Sequence, residues 1–190
     1  MNIIKSQSLA DYNCNQLISK IPKKLSNRED KFFDKVKKSN MSHKNKLAII
    51  YDFMNELNEF SSNFTPCKKN CSACCHYEVS ISDIEISHIE KITGNKRNKI
   101  IKPSGDFHGA ACPFLSNGSC SIYEARPYVC RRHVTLAPDP HWCDPVRSNE
   151  HTFPLLEFSK VKEAFDFIRR DSGSHDIYDI RQVFSSPANT

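Results

Sequence analysis

Apolar residues recur at helical spacing in separate stretches of the chain. After Ser42, one face of a predicted helix carries apolar residues at intervals of three and four: Leu47, Ile50, Met54 and Leu57. Upstream, the Ser26–Glu29 segment has the Ser-x-x-Glu form of a capping box, in which the two side chains satisfy free backbone N–H groups reciprocally. It predicts a helix that starts there and ends at about Lys38.

The two ends of the chain show contrasting patterns. Residues 1–25 have no strong period and contain Pro22, so we predict a loose leader with at most one short helix at about residues 12–18. Near the other end, apolar residues at helical spacing predict a helix over about residues 155–170. A tail from Pro187 is expected to fray.

The middle of the chain mixes extended and helical signals. Residues 77–81 alternate apolar and polar, as in a short strand. A second capping box, Ser82–Glu85, predicts a helix that ends before Gly94 and turns three isoleucines inward: Ile86, Ile89 and Ile92. Further on, Asn117-Gly118 predicts a tight hairpin turn, because both residue types tolerate positive φ.

These elements predict a small, helix-rich and irregular α+β fold with one short hairpin. We divide the chain into a basic, partly helical N-terminal extension (1–41), a cysteine-cluster metal-binding domain (42–150) and a C-terminal helix and tail packing on it (151–190). Mean hydropathy is −0.56, and no apolar run approaches the ~18 residues that cross a bilayer. The N-terminus lacks the apolar region of a signal peptide, so we expect a cytoplasmic protein without membrane contact.

Cysteine is the residue type that changes this picture. Of nine cysteines, eight fall between positions 67 and 143: Cys67, Cys71, Cys74, Cys75, Cys112, Cys120, Cys130 and Cys143. Stable disulfides are uncommon in a reducing cytosol, which makes metal binding the leading explanation. Cys14 stands far from the others and is expected to be a bystander. The formal charge of +5 counts thiols as neutral, so eight thiolates around metal ions would cancel most of it.

The spacing of the cysteines indicates more than one simple site. Tetrahedral thiolate sites favour ligand pairs two to four residues apart, completed by a distant pair. The segment CKKNCSACC supplies the local group, and the hairpin brings Cys112 and Cys120 together as a distant one. Adjacent Cys74 and Cys75 point in opposite directions from an extended backbone. This geometry favours two metal positions, a bridging thiolate or different edges of one cluster.

The segments CKKNCSACC, CPFL and GSCSIYEARPYVCR resemble the YkgJ-type cysteine-cluster family, which is described as a zinc- or iron-chelating domain with a CxxCxxCC signature. The resemblance covers about residues 67–131, and the first gap has three residues instead of two. It implies that the family's cysteines are Cys67, Cys71, Cys74, Cys75, Cys112, Cys120 and Cys130. Cys143 matches a later and less regular cysteine.

Three functions follow from these observations. The first is a cytoplasmic metalloprotein that chelates zinc or iron through its cysteines. The resemblance extends to flagellin lysine N-methylases, which are associated with an iron–sulfur cluster, and this makes an iron–sulfur enzyme the second. Thiolates bind zinc and iron–sulfur clusters alike, so the residues do not choose between them.

The third hypothesis is a zinc-stapled module that binds nucleic acid or another protein. Its basis is the basic N-terminal segment, since residues 1–46 hold eleven Lys and Arg against four Asp and Glu. His76, His133 and His141 stand near the cysteines, and whether they are ligands stays open. Arg126, Arg131 and Arg132 are expected to balance the charge of the thiolates.

Overall fold

The computed structural model describes residues 2–68 and 70–185, so the predicted fraying of the tail from Pro187 lies outside the described residues. The α-helices are α1 (Ile3–Lys20), α2 (Lys23–Asp30), α3 (Phe32–Lys38), α4 (His43–Ser61), α5 (Asp83–Thr93), α6 (Tyr128–Arg132), α7 (Pro145–Glu150), α8 (Ser159–Asp171) and α9 (Ile180–Val183). The strands are β1 (Ser80–Ser82), β2 (Leu115–Ser116), β3 (Ser119–Cys120) and β4 (Ile177–Asp179). Just over half of the chain is helical, which confirms the helix-rich α+β class.

No helix in the described part of the chain is both long and apolar enough to cross a membrane.

The N-terminal leader is helical, and the prediction of a loose segment is wrong. The side chain of Asn2 caps α1 by accepting a hydrogen bond from the N–H of Ile4, and the helix continues for 18 residues. Only a narrow stripe of α1 is buried, including Ala10 and Leu17, which pack with Leu136. A stripe this narrow gives little helical periodicity in the sequence.

The start of the second helix was also predicted wrongly. α2 begins at Lys23 with Pro22 as its N-cap, so Ser26 lies inside the helix instead of capping it. Proline is well suited to a helix start, because its φ is already fixed and its missing N–H is one that the first turn leaves unpaired. Lys31 interrupts the helix, and α3 begins at the next residue.

A helical core forms where α2, α3, α4 and α8 pack together. α4 has Ser42 as its N-cap, as predicted, and the predicted apolar face is buried. α8 begins at Ser159, later than predicted, because Leu155 instead forms an isolated bridge with Thr135. α8 packs mainly on α3 and α4. The division into three domains stays a prediction.

A second core lies under the cysteine segments. β1 pairs antiparallel with β4, with Ile81 opposite Tyr178. The predicted capping box of Ser82 and Glu85 starts α5, and Gly94 ends it in the left-handed conformation at φ 74°. Ile92 is 56% exposed, so its predicted burial is wrong. β4 was not predicted, because the strand it pairs with lies far away in the sequence.

The predicted hairpin is confirmed. β2 and β3 pair antiparallel, with Leu115 opposite Cys120. The turn between them places Asn117 at φ 49° and Gly118 at φ 71°. Positive φ at both central residues is the geometry that follows the natural twist of a two-residue hairpin. The hairpin holds Cys120 against the second core.

Candidate metal centre

The first cysteine segment is a sequence of tight turns. Asn70 takes a positive φ of 75°, and the N–H of Cys71 donates to the carbonyl of Lys68 at 3.0 Å. A 3₁₀ turn, Ala73–His76, then carries Cys74 and Cys75. Turns, unlike an extended strand, let closely spaced side chains converge on a common region.

Backbone hydrogen bonds fasten this segment to the second group of cysteines. The N–H of Cys112 donates to the carbonyl of Cys75 at 2.8 Å, and the N–H of Gly109 donates to the carbonyl of His76 at 2.8 Å. The hydroxyl of Ser119, on β3, donates to Oδ1 of Asn70 at 3.2 Å. The first cysteine segment and the hairpin are therefore held side by side.

Arg181, on α9, adds a clamp that sequence reasoning missed. Its guanidinium donates to the carbonyls of Cys75, Tyr77, Ala110 and Ala111, at distances from 2.6 to 3.2 Å. An ion pair with Asp179 at 3.0 Å holds the guanidinium in place, and both side chains are buried. No local motif marks Arg181, because all four carbonyls are distant in sequence.

Seven of the eight predicted cysteines line one cavity of about 520 Å³: Cys67, Cys71, Cys74, Cys75, Cys112, Cys120 and Cys130. They reach it from the first cysteine segment, the loop before β2, the strand β3 and the helix α6. Cys143 lines a neighbouring cavity. Cys14 lies apart on α1, against the buried stripe that contains Leu17.

Four of the thiols are electrostatic neighbours. Burial raises the pKa of Cys112 to about 12, and the charges of Cys75 and Cys120 add to this rise. Burial also raises the pKa of Cys130, with further contributions from Cys112, Cys120 and Cys75. The pKa of Cys120 is raised by burial and by Cys75. These four thiols lie within one patch of the cavity.

Three of the remaining thiols form a second patch. Burial raises the pKa of Cys143 to about 12, and the charges of Cys67 and Cys71 add to the rise. Cys74 lies between the two patches: its hydrogen bond to Cys75 and its burial raise its pKa, and Cys130 and Cys67 contribute. The same hydrogen bond, with the charge of Arg181, lowers the pKa of Cys75.

The cysteine thiols have the chemistry of zinc and iron ligands, but their sulfurs are not arranged as in a formed metal site. Thiolates are ligands of zinc, iron and iron–sulfur clusters. Within residues 2–68 and 70–185, however, no three Cys, His, Asp or Glu side chains converge tightly enough to hold a metal ion as they stand. Neighbouring thiols repel one another once ionised, and a change of χ1 rotamer moves the sulfur of a cysteine.

The three histidines near the cysteines lie in different environments. His133 lines both cavities, and burial lowers its pKa; its ring lies 5.2 Å from that of Tyr77. His76 accepts a backbone hydrogen bond through its carbonyl, and His141 contacts the ring of Trp142. Neither His76 nor His141 lines the larger cavity.

The three arginines predicted to balance the charge of the thiolates also lie in different environments. Arg132 is exposed, whereas Arg126 and Arg131 line the cavity. Arg131 donates to the carbonyls of Arg126 and Glu124 and to the side chain of Asn55, so its guanidinium is committed to protein acceptors.

This arrangement defines a cysteine-lined cavity in a small α+β domain. Residues 66–152 match the model of the CxxCxxCC family, described as a "Putative zinc- or iron-chelating domain". The match covers just under half of the chain, includes all eight predicted cysteines and confirms the resemblance over that segment. It supports metal chelation by the cysteines. No curated protein and no solved structure matches the chain.

Proposed function

We propose that this protein is a cytoplasmic metalloprotein that binds zinc or iron through thiolates. The observation that carries the proposal is that seven cysteines, brought from four separate segments, line a single cavity. Side chains so far apart in sequence meet there because backbone bonds and Arg181 hold their segments together. Thiols gathered around one cavity supply the donor chemistry that zinc, iron and iron–sulfur clusters require.

The eight cysteines divide between two metal positions in this proposal. One set comprises Cys75, Cys112, Cys120 and Cys130, and the other comprises Cys67, Cys71, Cys74 and Cys143. The electrostatic proximity of Cys143 to Cys67 and Cys71, and of Cys130 to Cys75, Cys112 and Cys120, supports this division. Each set has the four thiols of a closed tetrahedral site or of one iron–sulfur cluster.

Purification in air and under anaerobic conditions, with metal analysis and a visible spectrum, tests the proposal. A colourless protein that retains zinc would identify zinc sites, and a brown protein that bleaches in air would identify an iron–sulfur cluster and favour the enzyme hypothesis. Either result supports thiolate chelation. A protein that carries neither metal after both purifications, and binds neither when supplied, would contradict it.

Single cysteine variants test the two positions. Cys74→Ser and Cys75→Ser should each lower metal content, but with different residual stoichiometries or spectra, because the two thiols belong to different sets. Cys14→Ser is the matched control and should change neither quantity. Identical losses in the Cys74 and Cys75 variants would indicate one shared site.

A nucleic-acid or protein interaction through the N-terminal segment stays a prediction. Much of the basic segment is helical and packs on the core, and Lys46 is buried. Binding that weakens with salt would support it, and no binding at low salt would remove it.

A further inference from the structure

The neighbouring cavity that Cys143 lines has a volume of about 370 Å³ and is walled largely by rings. Six ring-bearing side chains line it, and we call it the aromatic cavity: Tyr77, His108, His133, Trp142, His151 and Phe153. Among the described residues, its lining shares only His133 with that of the cysteine-lined cavity. Its volume lies within the range of small-molecule sites and is separate from the space around the seven other cysteines.

The rings of the aromatic cavity form two groups. The ring of Tyr77 contacts two imidazoles, with centroids 5.7 Å from that of His108 and 5.2 Å from that of His133. In the other group, the rings of Trp142 and Phe153 contact each other with centroids 5.4 Å apart. The face of an aromatic ring carries partial negative charge and attracts cations. The lining therefore offers a surface that is apolar and yet favours positive charge.

Hydrogen bonds to the protein hold these rings in place. The hydroxyl of Tyr77 donates to the carbonyl of Cys143 at 2.7 Å, and Nε1 of Trp142 donates to the hydroxyl of Ser6 at 3.1 Å. The hydroxyl of Ser148, also on the lining, donates to a backbone carbonyl at 3.0 Å. Since these donors already have partners, a ligand in the cavity would meet ring surfaces. Rings fixed in this way lose little entropy when a ligand binds.

The charged groups on the lining point the same way. Within the part of the chain that the structure describes, Glu78 is the only carboxylate residue that lines the aromatic cavity, and no lysine or arginine lines it. Glu78 is exposed. A carboxylate beside aromatic rings, without a competing ammonium or guanidinium, complements a ligand of positive charge.

We propose that the aromatic cavity binds a small quaternary ammonium compound. The methyl groups of such a cation spread its charge over an apolar surface that fits against aromatic rings, and its nitrogen has no N–H that needs an acceptor. A primary ammonium is strongly hydrated and has three N–H donors to satisfy, so it suits a ring-lined cavity less well. This site goes beyond metal chelation, because its rings and its carboxylate belong to none of the eight cysteines.

Three related probes test the proposal on the protein as purified. Choline has a trimethylammonium group, its neutral analogue has a tert-butyl group in that place, and ethanolamine has a primary ammonium. Trp142 is the single tryptophan of the chain and lines the cavity, so its fluorescence reports binding directly. At about pH 8, where an ordinary imidazole is neutral, choline chloride should change this fluorescence saturably, and sodium chloride at equal concentration should not.

The order of affinities decides whether both ring surface and charge are recognised. Ligand-observed NMR should show that the tert-butyl analogue and ethanolamine each bind at least about tenfold more weakly than choline. If the tert-butyl analogue bound as tightly as choline, the cavity would recognise shape alone. If ethanolamine did so, a simple ion pair would suffice. Either result, or no binding of choline, would overturn the proposal.

Variants locate the site. Phe153→Leu keeps an apolar side chain but removes a ring, and should weaken choline binding by about threefold or more. Glu78→Gln should weaken it by about twofold or more, while Glu150→Gln, which changes an exposed carboxylate outside the lining, should leave it unchanged. Metal content should stay the same in all three variants. Unchanged choline affinity in Phe153→Leu or in Glu78→Gln would overturn the proposal. The probe series uses the wild-type protein, so it decides the question even if a variant folds poorly.

Discussion

At the scale of single residues, the buried carboxylate of Glu85 joins three helices. Oε1 accepts from the hydroxyl of Tyr51 at 3.0 Å and from the N–H of Tyr128 at 2.8 Å. Oε2 accepts from the hydroxyl and the N–H of Ser82 at 2.8 and 3.0 Å. A carboxylate with four donors is well satisfied despite its burial. The capping box seen in the sequence therefore accounts for only two of the four hydrogen bonds that Glu85 accepts.

Glu85 should give the stability of the protein a specific pH dependence. Burial raises the pKa of Glu85 above its ordinary value of 4.5, against the opposing effect of its hydrogen bonds. The folded state thus binds this proton more tightly than the unfolded chain does. Its stabilising contribution is complete below pH 4.5 and is lost as the pH rises through the folded pKa. In urea unfolding, the unfolding free energy of wild type minus that of Glu85→Gln should fall as the pH rises from 4.5.

Glu56→Gln, which removes an exposed carboxylate on α4, is the control for Glu85→Gln. Metal content must be measured at each pH, so that proteins in the same metal state are compared. If the unfolding free energy of wild type minus that of Glu85→Gln rises with pH, the hydrogen bonds to Glu85, which lower its pKa, outweigh the effect of burial.

Tyr51 offers a milder test of the same network. Tyr51→Phe removes one donor to Glu85 but keeps the ring, over which the guanidinium of Arg131 lies 4.1 Å from the centroid. We expect a loss of about 1 kcal/mol in the unfolding free energy. A loss below measurement error would mean that the remaining donors satisfy Glu85 fully.

At the scale of elements, β4 and α9 matter for where they place Arg181. The side chain of Asp179 caps α9, accepts from the N–H of Val79 at 2.7 Å and pairs with Arg181. Two short elements, three and four residues long, thus connect β1 to the cysteine loops. If the cysteines bind metal as proposed, these two elements position the donors and supply no ligand.

Arg181→Lys should therefore lower metal affinity without removing a ligand. A lysine ammonium has three donors on one nitrogen and cannot reproduce a planar fork that reaches several carbonyls. We expect a loss of about 2–4 kcal/mol in stability and a faster release of metal to a chelator. Arg169→Lys, which changes an arginine on α8, is the control. Unchanged release kinetics would show that the cysteine loops hold their positions without the clamp.

The elements also show which signals a sequence carries. Ser82, Gly94 and Asn117-Gly118 were interpreted correctly because caps and positive-φ turns depend on neighbouring residues. The cysteine spacing likewise singled out eight residues, of which seven line one cavity; their role as metal ligands stays a prediction. Arg181 and β4 were missed because their partners are distant in the chain.

At the scale of the whole molecule, the helical core and the second core differ in how closely they contact the cysteines. The helical core around α4 and α8 is apolar, whereas the second core packs against three of the cysteines, Cys112, Cys120 and Cys130. Four thiols gathered in one patch would repel one another as thiolates unless a cation were bound among them. We therefore expect metal binding to stabilise the second core more than the helical core.

Metal removal should then unfold the molecule unevenly. We expect chelation to abolish amide protection across residues 67–143, while α3, α4 and α8 keep much of theirs. Hydrogen exchange with mass spectrometry on loaded and stripped protein measures this directly, and melting temperature and circular dichroism give the overall loss. Unchanged protection and an unchanged melting temperature after complete stripping would contradict a structural role for the metal.

The clamp formed by Arg181 has a consequence for biosynthesis. The four carbonyls that it gathers belong to residues 75–111, yet Arg181 itself is translated about 70 residues or more after them. At a synthesis rate of about 5–20 residues per second, the cysteine loops would wait several seconds on the ribosome without their clamp. Thiols exposed during that interval are open to oxidation or to capture of the wrong ion. Loading with the correct metal would therefore be completed late, once the segment that carries Arg181 has emerged and closed over the loops.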